Sequence, residues 1–329
     1  MLSPSLVPDS RIHIVCATDG AYAMPTAVMA ASVASSATSG RHISLHVLDG
    51  GMTPSIQKRL GRALAQTSAS AARRHVTFES VRHTPDLRVV AGLDDHGHVS
   101  TTSYLRLVIP DVLPHVDRAM WIDADTLVCR DLAGLGLPAL QGGIDLGGAP
   151  AAAAVNGESD MPTLAKGLPR HAERSGLPLD PQSPYVNAGV LVLDLAAWRK
   201  DRIGEAVLED LRAHQSLYRY WEQDGLNAVL AGRWVILPPE WNVLLGSLDV
   251  RHRRTAPADV GVLHFCATPK PWRGGFALTY PAFYAGYQRA WLHAARRSGW
   301  FSEGQWATFR AWLALRDHRL VVRRALAGV

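Results

Sequence analysis

Short apolar runs separated by turn-forming residues set the pattern of the first part of the chain. Arg11-Ile12-His13-Ile14-Val15-Cys16-Ala17 predicts a first strand, the alanine-rich stretch from about Pro25 to Ser36 a helix, and His42-Ile43-Ser44-Leu45-His46-Val47-Leu48 a second strand. The chain opens as a βαβ unit. Thr53-Pro54 supplies an N-cap and a first-turn proline, after which Ile56, Leu60 and Leu64 fall on one helical face. Val76-Thr77-Phe78 predicts a third strand. Strands alternating with helices in this way imply a parallel sheet covered on both faces, with ligands at the carboxyl ends of its strands.

Farther on, the apolar run Met120-Trp121-Ile122 reads as a buried strand that ends in Asp123-Ala124-Asp125. Two carboxylates one residue apart repel each other unless a cation lies between them, and oxygen ligands suit a hard divalent metal. An isolated Asp-x-Asp also fits one aspartate capping a turn while the other pairs with an arginine. Asp19 and Asp123 both fall at the ligand-binding rim of the predicted sheet. No G-x-G-x-x-G follows the first strand and no G-x-x-x-x-G-K-[ST] occurs, so the chain carries neither a nicotinamide fingerprint nor a P-loop.

Residues from about Pro150 to Pro184 are rich in Ala, Gly and Pro with little regular period, which predicts an excursion over the surface: a lid, a tolerated insertion, or part of an acceptor site. From about Arg273 the character changes. Phe276, Tyr280, Phe283, Tyr284, Tyr287, Trp291, Trp300, Phe301, Trp306 and Trp312 are interleaved with arginines, predicting helices with a basic, aromatic surface. Arg316, Arg319, Arg323 and Arg324 stand against Asp317 alone and could draw this tail to anionic lipid. The other reading is a solvated helix packing Leu313, Leu315, Leu320 and Val321 onto the main domain.

Composition narrows the setting. The 329 residues are 47% hydrophobic, enough for one large domain or a domain with an appendage. No run of about 18 uncharged apolar residues occurs and Met1 to Pro8 lack the features of a secretion signal, so a cytosolic protein is expected, with peripheral contact at the inner face of the membrane through the tail. Cys16, Cys129 and Cys266 fit no zinc spacing and read as reduced thiols of the core. A formal charge of +5 suits an anionic partner, whether nucleotide, phosphate or lipid surface. Nucleic acid is disfavoured, because no recognition motif accompanies the basic residues.

Several further segments fall in order around the Asp-x-Asp: Ala17-Thr18-Asp19 with Tyr22, Ser103-Tyr104-Leu105-Arg106-Leu107, Asn187-Ala188-Gly189-Val190, Glu222-Gln223-Asp224, and His264-Phe265 followed by Lys270-Pro271-Trp272. Together they resemble glycosyltransferase family 8, which includes bacterial lipopolysaccharide galactosyl- and glucosyltransferases and glycogenin, over roughly residues 11 to 273. The resemblance implies an α/β GT-A fold, a Rossmann-like mixed sheet flanked by helices, with a catalytic domain over 1–272 and a helical basic and aromatic extension over 273–329. It also implies a UDP-sugar donor, Mn2+ or Mg2+, a glycan or glycolipid acceptor, and hexose transfer (glucose or galactose) with retention of configuration, in synthesis of lipopolysaccharide or another envelope glycan.

By the same resemblance Asp123, Asp125 and His264 bind the metal, a mixed O/N set that suits Mn2+. Ala17, Thr18, Asp19, Tyr22, Arg106, Asp123, Ala124, Asn187, Ala188, Glu222, Gln223 and Lys270 surround the donor, and Gln223, Glu222, Lys270 and Arg106 carry the catalytic roles. Lys270 would add positive charge at the diphosphate, Asp19 would bind ribose or uracil, and Tyr22 would stack on the base. Gln223 matches the position nearest the anomeric carbon. Because an amide is a poor nucleophile, a front-face route with the Gln223 carbonyl supporting positive charge is expected, with Glu222 and Asp224 keeping a covalent route open.

Two positions depart from the family pattern: Glu222 stands where Asp is common, and Ala267 where Gly often precedes the Lys-Pro-Trp segment. Structural roles compete at several sites. Asp19-Gly20 is ordinary turn chemistry, Arg106 could pair with Asp111 or Asp117, Asn187 could cap the following apolar run, and His264 could be a satisfied core histidine. Asp123-Ala124-Asp125-Thr126-Leu127-Val128 also fits the D-x-D-x-[TV] opening of haloacid-dehalogenase-like phosphatases, but about 120 residues precede it and no G-D-x-x-x-D pair follows. A noncatalytic module that binds nucleotide-sugars is the other rival.

Overall fold

A computed structural model describes residues 11–93, 101–136, 144–156, 161–170, 179–245, 259–266, 268–276 and 284–327. Ten strands fall in these segments: β1 Arg11–Thr18, β2 His42–Asp49, β3 Thr77–His83, β4 Arg118–Ile122, β5 Thr126–Val128, β6 Ala151–Val155, β7 Val186–Asp194, β8 Trp234–Ile236, β9 Val243–Leu244 and β10 Val262–His264. The longer helices are α1 Ala23–Ser36, α2 Pro54–Ala72, α3 Ile203–His214, α4 Trp221–Val229, α5 Tyr284–Arg297 and α6 Glu303–Ala327.

A seven-stranded sheet has the order β3-β2-β1-β4-β7-β6-β8, and a three-stranded sheet the order β5-β10-β9. The first four strands of the large sheet are parallel, as the βαβ pattern requires, with Arg11 opposite His42 and Ile14 opposite Met120. The sheet as a whole is mixed, because β7 runs antiparallel to both β4 and β6. That reversal brings the start of β7 to the end of β4, where the Asp-x-Asp turn begins.

One face of the large sheet packs Ile12, Ile14, Met120 and Val190 against Met29, Val33, Leu60 and Leu64 of α1 and α2. Thr53 caps α2 only through its backbone, its carbonyl accepting from Gln57 N at 2.9 Å. The opposite face packs Val15, Trp121, Leu191 and Leu193 against Leu105, Trp198, Val207 and Leu226. Strands covered on both sides need no polar alternation, which explains the apolar runs of β1, β4 and β7.

The surface excursion expected from Pro150 to Pro184 is corrected at its start. Ala151–Val155 form β6, an inner strand between β7 and β8 whose first four alanines are buried. Nothing in an alanine run distinguishes a strand from a helix or a loop, because its small side chains give neither alternation nor a helical stripe. Met161, Leu164 and Leu168 then pack on Tyr185 in a small core of their own, while 157–160 and 171–178 lie outside the described residues.

The C-terminal helices close over the small sheet. Phe276, Tyr287, Trp291 and Leu313 are buried with Leu127, Val243, Leu263, Phe265 and Trp272, so these aromatics serve a core rather than the aromatic surface expected of them. On α6, Trp312, Leu315 and Val321 are exposed beside Arg310, Arg316, Arg319 and Arg323; of the four apolar residues expected to pack, Leu315 and Val321 do not. Tyr280 and Phe283 lie outside the described residues. No described helix is long and apolar enough to cross a membrane. The three cysteines are free, with Cys16 buried and Cys129 and Cys266 partly so.

Candidate active site

Four structural elements converge where β4 ends. Asp123 N donates to Gly189 O of β7 at 2.8 Å, Thr126 Oγ1 donates to Asp123 O at 2.8 Å, and Phe265 N donates to Asp125 O at 2.9 Å. The Asp123-Ala124-Asp125 turn is thereby pinned between the two sheets. Antiparallel pairing of β5 with β10 sets His264 opposite Thr126, beside Asp125. One ligand atom from each of Asp123, Asp125 and His264 lies within 4.8 Å of the other two.

Each carboxylate divides its oxygens between two tasks. Asp123 Oδ1 accepts from Trp121 Nε1 at 2.6 Å and Arg106 Nη2 at 3.0 Å, while Oδ2 lies 3.7 Å from His264 Nε2. Asp125 Oδ2 accepts from Lys270 Nζ at 2.7 Å, while Oδ1 lies 3.4 Å from the same imidazole nitrogen. Held at one oxygen and turned to a shared space with the other, the pair fits a divalent ion with hard oxygen and imidazole ligands. Charge agrees: among the described residues the three carboxylates of Asp123, Asp125 and Glu222 pair with Arg106 and Lys270, with the His264 imidazole beside the first two.

Arg106 links the turn to α4. Its side chain is 3% exposed and lies 4.6 Å from the Trp121 ring centroid. Nε donates to Ser103 O at 3.0 Å, Nη1 to Ala188 O at 2.5 Å, and Nη2 lies 3.3 Å from Glu222 Oε1 as well as bonding Asp123. The expected alternatives, Asp111 and Asp117, are not its partners; Asp117 pairs with Arg199. Glu222 is buried, which raises its pKa against the partly compensating charge of Arg106, and its Oε2 has no hydrogen-bond partner among the described residues. Burial would also raise Asp125, but Lys270 and His264 outweigh it and hold that carboxyl well below its ordinary range. Lys270 rises in turn, the Asp125 charge overcoming burial.

Asn187, Gln223 and His264 belong to one hydrogen-bonded string. His264 Nδ1 lies 3.1 Å from Asn242 Oδ1, and Asn242 Nδ2 donates to Asn187 Oδ1 at 2.8 Å. Asn187 Nδ2 donates to Gln223 Oε1 at 3.0 Å, and Gln223 Nε2 donates to the Tyr185 hydroxyl at 2.9 Å. Tyr185 donates to Asp224 Oδ1, and Asp224 Oδ2 accepts from Arg219 N and Tyr220 N, each at 2.6 Å.

This string bears on three expectations. Gln223 Oε1 already accepts from Asn187 and from Ala188 N at 3.0 Å, so its carbonyl is engaged and the group left to meet a ligand is its amide N–H. Asp224 is fully buried and bound at both oxygens, so it forms the inner end of the string. Asn187 joins β7 to α4 and also accepts from Gly189 N at 2.9 Å, the local bond ahead of the apolar run that was anticipated for it.

At the end of β1, Ala17 and Thr18 are buried, and Asp19 Oδ1 accepts from Ala21 N at 2.9 Å and Tyr22 N at 3.0 Å, the turn chemistry anticipated for Asp19-Gly20. Tyr22 meets Trp272 edge to face at 6.1 Å, and its hydroxyl is raised by burial and by the nearby charge of Asp125. The rim of β1 therefore adjoins the acidic cluster, as expected for both. Ala267 lies outside the described residues. Trp121, Tyr185 and Asn242 were not singled out from the sequence, where each is one polar-tipped residue in an apolar segment with no periodic signal.

Gly189 shows how closely the parts fit. A Cβ there would overlap the His264 imidazole and come 2.9 Å from Asp123 Oδ2. Overpacking of this kind costs about 1–3 kcal/mol unless the neighbour moves, and here the neighbour is the ring itself. If the cluster takes a divalent cation, Gly189→Ala is therefore expected to weaken its binding by at least about tenfold, read by calorimetric titration of a folded variant with Mn2+. Wild-type affinity would show that the ring position is not tied to the metal.

Comparison with known proteins agrees with this arrangement. The family model described as Glycosyl transferase family 8 matches residues 13–274. General stress protein A of Bacillus subtilis (strain 168) is 26% identical over 296 residues, covering 85% of this chain and 93% of that protein. Lipopolysaccharide 1,2-glucosyltransferase of Escherichia coli (strain K12) is 27% identical over 181 residues, covering 53% of this chain and 49% of its own length. Among solved structures, galactosyltransferase LgtC in complex with donor and acceptor sugar analogues superposes with a TM-score of 0.62 at 22% identity, over 86% of this chain and 95% of LgtC. That likeness establishes the GT-A fold.

Proposed function

The chain belongs to glycosyl transferase family 8, and from that premise we propose that it is a metal-dependent, retaining hexosyltransferase that moves glucose or galactose from a UDP-sugar to a hydroxyl of an envelope glycan. The observation that carries the reading is the Asp123, Asp125 and His264 cluster with Lys270 at its edge. The sugar class draws on relatives named as a glucosyltransferase and a galactosyltransferase.

Asp123 Oδ2, Asp125 Oδ1 and His264 Nε2 would hold the ion, which supplies neutralisation of the charge that develops on a departing diphosphate. Lys270 sets the orientation of Asp125 and adds a second positive charge at the same edge. Arg106 keeps Asp123 and Glu222 apart and oriented. Glu222 Oε2 would accept from a sugar hydroxyl, and the second N–H of the Gln223 amide would donate near the reacting carbon. Tyr22 offers a ring to the base, with Asp19 shaping the turn beneath it.

The same geometry favours front-face departure and attack over a covalent intermediate. Asp224 is bound at both oxygens, and Glu222 is buried and held by Arg106, so neither carboxylate is free to move onto a sugar carbon. A phosphatase role is set aside, because Asp123, its required nucleophile, is bonded by Trp121 and Arg106 inside a glycosyltransferase fold.

Release of nucleoside diphosphate from UDP-, GDP- and ADP-sugars, with Mn2+ and with EDTA, tests the proposal. Mn2+-dependent release of UDP from UDP-glucose or UDP-galactose is expected. Release that persists in EDTA, or comes only from a GDP- or ADP-sugar, would overturn the donor and metal assignment, and tight binding without release in the presence of acceptor glycans would make the chain a binding module.

A further inference from the structure

We propose that Asn242 is a positioning residue for the metal site: it selects the His264 tautomer whose Nε2 lone pair faces Asp123 and Asp125. The proposal rests on the metal reading above, and it is carried by the direction of the hydrogen-bonded string. Side-chain amides can be turned end for end, but backbone N–H groups cannot, and two of them fix this string.

Gly189 N donates to one polar atom of Asn187 at 2.9 Å, so that atom is the carbonyl oxygen Oδ1. The other atom is then Nδ2, which must donate to Gln223, and Ala188 N donating to the same Gln223 atom at 3.0 Å confirms it as Oε1. Asn187 Oδ1 also lies 2.8 Å from Asn242, so Asn242 presents Nδ2 to it. Only Asn242 Oδ1 is left to face His264, at 3.1 Å from Nδ1. A carbonyl oxygen opposite Nδ1 requires the proton on Nδ1, so in the neutral ring Nε2 is the unprotonated nitrogen, directed at the carboxylates 3.4 and 3.7 Å away.

The reversed Asn242 would set its oxygen against Asn187 Oδ1, a mismatch between buried acceptors whichever tautomer the ring adopts; Asn242 itself is 5% exposed. The tautomer needed by a ligand is thus chosen by the fold before a cation arrives. At the far end, Gln223 Nε2 bonds Tyr185, whose hydroxyl bonds Asp224, so the metal ligand and the amides expected at the sugar share one ordered string.

The test uses full-length, metal-free, 15N-labelled protein under alkaline conditions where imidazole is neutral. Long-range 1H–15N correlation, with His264 assigned by its loss in His264→Gln, is expected to show a protonated Nδ1 and an unprotonated Nε2. Asn242→Ala should shift the ring toward the Nε2–H form and weaken Mn2+ binding, followed by electron paramagnetic resonance, by about 10- to 100-fold. Asn242→Asp, which keeps an acceptor for Nδ1–H, should retain the wild-type tautomer and recover most of the affinity.

An Nε2–H tautomer in the wild type overturns the proposal without need of any variant, and so does Mn2+ affinity within twofold of wild type in Asn242→Ala. If the wild type takes up no Mn2+, the metal reading fails separately, and the tautomer measurement still decides whether Asn242 orients the ring.

Discussion

Exchanging Asp125 for asparagine is expected to slow sugar transfer by about a thousandfold while leaving the chain folded. Asparagine keeps the backbone carbonyl that accepts from Phe265 N and nearly the same volume, so the turn between β4 and β5 persists. What is lost is the charge that faces His264 with one oxygen and holds Lys270 with the other. A thousandfold corresponds to roughly 4 kcal/mol, within the several kcal/mol that a bound cation supplies to a departing anion. Turnover at saturating Mn2+, with a thermal melt as the control for folding, reads the effect. A rate near wild type would mean that the carboxylate pair is structural.

Replacing Arg106 by methionine is the second large effect, and it falls on stability. Methionine fills much of the space over the Trp121 ring but leaves Asp123 and Glu222 facing each other without the guanidinium between them. Removing one partner of a buried charge network costs about 3–5 kcal/mol. The sign of its pH dependence follows. Without Arg106 the folded-state pKa of Glu222 lies further above its unfolded one, so the folded state binds more protons and the deficit shrinks as pH falls through that value. Glu222 is already raised by burial with Arg106 in place. Urea unfolding of wild type and variant across the acid range should show the gap narrowing toward low pH, whereas a variant within about 1 kcal/mol of wild type at neutral pH would show that Arg106 acts as a surface pair does.

The legible parts of this molecule are those with a local signature. The βαβ opening is written in apolar runs and a proline-led helix, and the Asp-x-Asp is written in charge adjacency, so β1, α1, β2, α2 and the acidic turn follow from neighbouring residues alone. β6 is illegible for the opposite reason: four small, buried alanines carry no period, and the Gly and Pro around them resemble loop chemistry. The aromatic tail misleads in a similar way, because Tyr287 and Trp291 share a helix with Arg289 and Arg296 and only packing decides that the rings point inward.

At the site, the charged residues announce themselves and the residues that orient them do not. Lys270 and His264 stand near a recognisable segment, but their contacts with Asp125 depend on pairing β5 with β10, two strands of three residues each. Asn242 sits alone between Trp241 and an apolar pair, and only the parallel pairing of β9 with β10 brings it to His264. The partner of Arg106 could not be read from sequence distance, since Asp123 is its partner and the nearer Asp117 pairs with Arg199.

Calorimetric binding of UDP to the wild-type protein, in Mn2+ and again in EDTA, tests the central claim most directly, because it needs neither the acceptor nor the correct sugar. Asp123, Asp125 and His264 acting through a shared ion predict UDP binding with Mn2+ that disappears when the metal is chelated. UDP bound equally well in EDTA would contradict a metal-bridged donor site.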